Sequence, residues 1–63
     1  MINNYTFVCS NGEVYFKTSV GCEHPLLFIK QLLLSNKYKS ISYYVNYCFI
    51  RDYDIRDIIS GIL

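Results

Sequence analysis

The sequence predicts an α+β domain with the order β-β-α-β-α, a small mixed sheet packed by helices. Three observations carry this. Two runs rich in aromatic and β-branched residues flank Asn11-Gly12, the arrangement of a β-hairpin. An apolar segment opens on Pro25 and is interrupted only by Lys30 and Gln31, as in a buried helix. A third run, Ser40 to Ile50, alternates in the manner of a strand.

The hairpin spans about Tyr5 to Thr18. Tyr5, Phe7 and Cys9 share one face of its first strand, and Val14 and Phe16 share one face of its second. Ser19 to Glu23 forms a connection. His24 stands at the start of a helix running from Pro25 to about Leu34, since proline at the first helical position forfeits no hydrogen bond and presets φ. Leu26, Leu27, Phe28, Ile29, Leu32, Leu33 and Leu34 make this helix apolar on most sides. Such a helix needs cover from more than one direction.

Ser35 to Lys39 reads as a turn. In Ser40 to Ile50, Ile41, Tyr43, Val45, Tyr47 and Phe49 occupy one face, while Ser42, Asn46 and Cys48 lie opposite with Tyr44. This predicts one long strand with a strongly apolar face. Arg51 to Asp54 ends it. Asp52 or Asp54 caps a final helix, with Asp57 completing a capping box after Asp54. Ile55, Ile58, Ile59 and Ile62 recur at helical spacing, and Gly61 lets the helix stop.

Length and composition bound the function. A chain of 63 residues has room for a single domain, 1–63, and one modest core. It has 52% hydrophobic and 17% charged residues, which is not a disordered composition. A net charge of +1 with scattered lysines and arginines disfavours a dedicated nucleic-acid binder. Cys9, Cys22 and Cys48 are an odd number, and no secretory signal precedes them, so free thiols in a reducing compartment are expected. That places the chain in the cytoplasm or nucleus and makes the Asn4-Tyr5-Thr6 sequon a chance occurrence. No apolar run is long enough to span a bilayer.

Reaction chemistry finds little support. Cys9, Cys22, His24 and Cys48 are a zinc-type set of ligands, but no Cys-x-x-Cys knuckle brings them together, and small buried cysteines are the plainer reading. Cys22 and His24 are separated by Glu23 on one loop, a poor geometry for a nucleophile and its base. Asp52, Asp54 and Asp57 crowd a helix start, where capping is the better assignment than a hard cation. No Gly-rich phosphate loop is present. We therefore expect no enzyme activity, cofactor, metal or small-molecule substrate. Tyr43, Tyr47 and Phe49 offer a stacking platform for single-stranded nucleic acid, but their face coincides with the apolar face of the strand and reads as core. A nucleic-acid-binding protein and a zinc-stapled mini-domain are the alternatives.

The segment Tyr5 to Phe16, with Ser10-Asn11-Gly12-Glu13 between two strands, resembles the opening of the Skp1, elongin C and BTB/POZ superfamily. Asn11 stands where that family has Asp. Pro25 to Leu34 is similar to its first core helix, Ser40 to Ile50 to its third strand, and Asp52 to Ile62 to the helix after it. The resemblance implies a protein-interaction adaptor, partnered by a ubiquitin-ligase component or by its own copy. It also implies that the chain stops where further helices would follow. The composition, with no Ala, 7 Tyr and 8 Ile, resembles that of AT-rich genomes such as those of large DNA viruses, poxviruses included.

The surplus of apolar residues points the same way, because a domain this small cannot bury them all. The expected function is a non-enzymatic interaction module, self-associating or docked on another protein. Leu27, Ile29, Leu34, Tyr44, Ile59, Ile62 and Leu63 are the expected hydrophobic anchors.

Overall fold

Alternating runs of β-branched and aromatic residues pair into one antiparallel sheet, and two helices cover a single face of it. The computed structural model describes residues 2–63. In chain order the elements are β1 (Asn4–Cys9), β2 (Val14–Thr18), α1 (Pro25–Leu34), β3 (Ser40–Val45), β4 (Cys48–Asp54) and α2 (Ile55–Ile59). The strands lie in the order β2-β1-β3-β4.

The sheet is antiparallel at every pairing, not mixed as expected. The cause is the position of β1. Helix α1 returns the chain so that β3 runs in the same direction as β2, but β1 sits between the two. Neither can pair with the other, and each pairs with β1 in the opposite sense, while β4 joins the free edge of β3, again antiparallel.

The β1–β2 hairpin forms as predicted, with Val8 opposite Val14 as the last pair. Its connection is longer than a two-residue turn. The Cys9 amide donates to the Glu13 carbonyl at 2.8 Å, and only Gly12, at φ 93°, takes the left-handed conformation. Asn11 contributes its side chain instead, accepting from the Glu13 amide at 3.0 Å.

The expected strand from Ser40 to Ile50 is in fact a second hairpin. Asn46 (φ 50°) and Tyr47 (φ 66°) form a two-residue turn, with Val45 opposite Cys48. Positive φ at both central residues is the signature of a type I′ turn, whose twist matches the flanking strands. Asn46 tolerates this conformation and also ties the turn to β1. Its amide donates to the Asn4 carbonyl at 2.7 Å, and its side chain accepts from the Asn4 amide at 2.9 Å. The observed order is thus β-β-α-β-β-α.

This turn reverses which residues face inward. Phe49 lies opposite Tyr44 and shares its outer face, rather than following Tyr43 into the core. A register shift between Tyr43 and Tyr44 leaves Ile50 as an extra residue, so that Arg51 lies opposite Tyr43. The shift restores the original parity and directs Tyr53, opposite Ile41, into the core.

The core lies between the sheet and α1. Phe7, Ile29 and Ile41 are completely buried, surrounded by Tyr5, Cys9, Leu33, Tyr38, Tyr43 and Tyr53. Phe7 stacks on Tyr43 with centroids 5.6 Å apart and meets Phe28 edge-on at 4.8 Å. Ile29 and Leu33, with Phe28 and Leu32 beside them, form the inward stripe of α1, the spacing that a 3.6-residue repeat places on one face.

Helix α2 begins as its sequence motif predicts. The Asp54 carboxylate accepts from the Arg56 amide at 2.9 Å, and Asp57 accepts from the Asp54 amide at 2.8 Å. The helix is shorter than the isoleucine spacing suggests, closing at Ser60 before Gly61 at φ 84°. The Leu63 amide then donates back to the Asp57 carbonyl at 3.0 Å, and the Leu63 side chain packs against the core beside Ile58.

Candidate interaction surfaces

Helices cover one face of the sheet, and the sheet's register defines what the other face presents. Phe16 on β2 lies opposite Thr6 on β1, Thr6 opposite Tyr44 on β3, and Tyr44 opposite Phe49 on β4. These four side chains form one row across the outer face. Phe16 is 70% exposed and Phe49 55%. Tyr44 and Phe49 meet edge-on at 5.5 Å. A shallow notch of about 220 Å³ opens between Phe16, Tyr44 and Tyr47, with Thr6 and Val8 also lining it. The Thr6 hydroxyl oxygen is hidden from solvent and has no hydrogen-bond partner. The next row, Val14, Val8, Ser42 and Asp52, carries a single carboxylate, which accepts from the Ser42 hydroxyl.

A second apolar surface lies on the helix side. Leu26 and Leu27 from the first turn of α1, Ile50 from the register shift, and the Tyr43 and Tyr53 rings line a groove of about 710 Å³, together with Glu23, His24 and Pro25. Burial, followed by the neighbouring Tyr5 and Tyr53, pushes the Tyr43 hydroxyl up to about 12. It stays protonated at neutral pH and acts as packing.

The polar contacts on this side are structural. Tyr38 donates to the Glu13 carboxylate at 2.6 Å, and Tyr15 reaches the same oxygen at 3.1 Å. The Tyr38 bond is the largest of the effects that hold Glu13 below the usual carboxylate range, with Asn11 and Tyr15 adding to it. The same bond raises the Tyr38 phenol. The cluster fastens the first hairpin to the segment ahead of β3. Lys17 lies over the Phe28 ring at 5.1 Å. Arg51 lies over Tyr53 at 5.1 Å and pairs with Asp57 at 3.1 Å.

The expected anchors fall in three places. Leu27, Leu34, Ile59 and Ile62 are exposed on the helix side. Tyr44 is half-buried on the outer sheet face. Ile29 is wholly buried and contributes to the fold and not to a surface, whereas Leu63 is half-buried and packs against the core with one side. Periodicity does not separate Ile29 from Leu27 in a helix that is apolar almost all round.

Three surface or core residues escaped the sequence reading. Phe16 and Phe49 were not distinguished from core positions, and Tyr38, between Lys37 and Lys39, reads as part of a polar turn. A usable signal existed for Phe49. An uninterrupted strand from Ser40 to Ile50 is about twice the usual length, and Asn46 is its one residue that readily takes positive φ.

No group of three or more His, Cys, Asp or Glu side chains that could hold a metal ion occurs among the described residues, so the set Cys9, Cys22, His24 and Cys48 does not assemble. Cys9 is buried, Cys22 half-buried and Cys48 exposed, all as free thiols. Burial, and then the Glu13 charge, raises the Cys9 thiol and keeps it unreactive. Among the described residues no helix is long and apolar enough to cross a membrane. Comparison with family models, with curated proteins and with solved structures gives no match.

Proposed function

We propose that this chain is a non-enzymatic protein–protein interaction module, acting by self-association or by docking on another protein. One observation carries the reading. Among the described residues, thirteen large hydrophobic side chains are exposed while nine hydrophobic residues form the core. Scattered exposed apolar residues are ordinary, but contiguous patches mark contact surfaces. Here seven of the thirteen gather in two places, Val14, Phe16, Tyr47 and Phe49 on the outer sheet face and Leu26, Leu27 and Ile50 in the groove between α1 and β4. For an external partner, the resemblance of Tyr5 to Phe16 to the BTB/POZ opening favours a component of a ubiquitin-ligase assembly.

The test is capture of partners by the tagged chain after brief crosslinking, beside Leu27→Glu and Phe49→Glu. Both positions are exposed, so the substitutions leave the core intact. We expect a protein, or a second copy of the chain, to be retained by the parent and lost with one of the variants. A monomeric chain that retains the same proteins regardless of both substitutions overturns the reading.

A further inference from the structure

The outer sheet face differs from the usual solvated face of an antiparallel sheet, which is polar. Its central row is Phe16, Thr6, Tyr44 and Phe49, and Tyr47 stands beside it from the β3–β4 turn, 73% exposed. Tyr47 also holds φ at 66°, where glycine is the common occupant of such a turn. A strained backbone position that keeps a large ring on an open face is a pointer to use of that ring.

We propose that this face packs on the same face of a second copy, forming a homodimer in which the two sheets stack and the helices lie outside. The inference rests on the interaction reading above and names its partner. Three features select a copy of this chain.

The first is area. From their exposure, Phe16, Tyr47, Phe49 and Val14 present on the order of 500 Å² per copy. Burying both copies' shares in full reaches about 1,000 Å², the floor for a biological interface and short of the roughly 1,200 Å² of stable ones, so the dimer is a weak, concentration-dependent one. The second is charge. The row contains no charged residue and its neighbour only Asp52, so two identical faces meet with little repulsion, and the net charge of +1 adds little more. The third is chemistry. Aromatic platforms for single-stranded nucleic acid work beside cations, and this row has none. Lys17 lies on the opposite face, across from Tyr5 and over the Phe28 ring. Face-to-face stacking of two sheets is also a closed, isologous arrangement that does not propagate into fibres.

Sedimentation velocity over a concentration series tests this. The parent is expected to approach twice the 7.4 kDa of one chain. Phe16→Glu and Phe49→Glu, made separately, are expected to weaken the dimer at least tenfold and leave the far-ultraviolet dichroism unchanged. Leu27→Glu, on the helix side, is expected to leave it intact. Two results overturn the proposal but not the interaction reading: a dimer insensitive to both phenylalanine substitutions, or one lost with Leu27→Glu alone. A parent that stays monomeric up to millimolar concentration overturns the proposal, and the partner-capture experiment then decides the reading by itself. A labelled oligothymidylate that binds a monomeric parent, and whose binding is lost with Phe16→Glu and Phe49→Glu, also overturns it, because the face would then belong to nucleic acid.

Discussion

Replacing Thr6 by Val is expected to stabilise the protein, an uncommon direction for a substitution at a packed position. Thr6 sits in the centre of the outer row between Phe16 and Tyr44, and its hydroxyl oxygen is sealed from solvent without a partner. An unsatisfied buried hydroxyl costs about 1–3 kcal/mol. Valine has nearly the same shape and the same branching at Cβ, so it opens no cavity and suits the strand. The expected gain is about 1–2 kcal/mol, which in a domain of this size raises Tm by roughly 8–15 °C. Thermal and urea unfolding followed by circular dichroism measure it. The two unfolding curves should be compared at equal and at tenfold-lower protein concentration, so that dimer dissociation is separated from folding. If the hydroxyl makes a hydrogen bond in solution, Thr6→Val instead loses about 1 kcal/mol. A lower Tm at both concentrations refutes the reasoning.

Three further outcomes follow from the same structure. Ile29→Ala is expected to cost about 2–5 kcal/mol, against a total stability of about 3–9 kcal/mol for a chain of this length, whereas Leu27→Ala, half exposed, is expected to cost well under half as much; urea midpoints distinguish the two. Asn46→Ala removes the side-chain acceptor for the Asn4 amide and places Ala at φ 50°, with an expected loss of about 1–2 kcal/mol and earlier amide exchange in β4. Glu13 is held below its usual range by Tyr38 above all, so the unfolded chain takes up its proton first as pH falls. The stability it supplies is complete above the ordinary carboxylate range and is lost as pH falls through the lowered folded value. Glu13→Gln is therefore expected to flatten the fall in urea midpoint below about pH 5, and an unchanged acid limb would count against the cluster.

Much of the fold was legible because its signals are local. The first hairpin follows from two β-rich runs around Ser10–Glu13, α1 from Pro25, and the start of α2 from the spacing of Asp54 and Asp57. The second hairpin was not legible in the same way. Asn46 fits an outward position of a continuous strand as well as it fits a turn, and Tyr47 is not a residue that advertises positive φ. That one ambiguity moved Phe49 to the wrong face.

The candidate surfaces were legible only in kind. An excess of apolar residues over what a small core can hold is a property of composition, and it predicts exposed hydrophobic area. Composition says nothing about where that area lies. Leu27 and Ile29 differ by two positions on one helix, yet one is 50% exposed and the other is completely buried.

The sequence by itself determined the local elements of this protein and the existence of an apolar surplus, because caps, turn residues and periodicity act over a few residues. Tertiary structure alone decided the antiparallel order, the burial of Tyr38 and Tyr53, and the row of Phe16, Thr6, Tyr44 and Phe49. Those depend on strand register, and register is set when distant strands meet: a shift of one residue exchanges the inner face of a strand for its outer one.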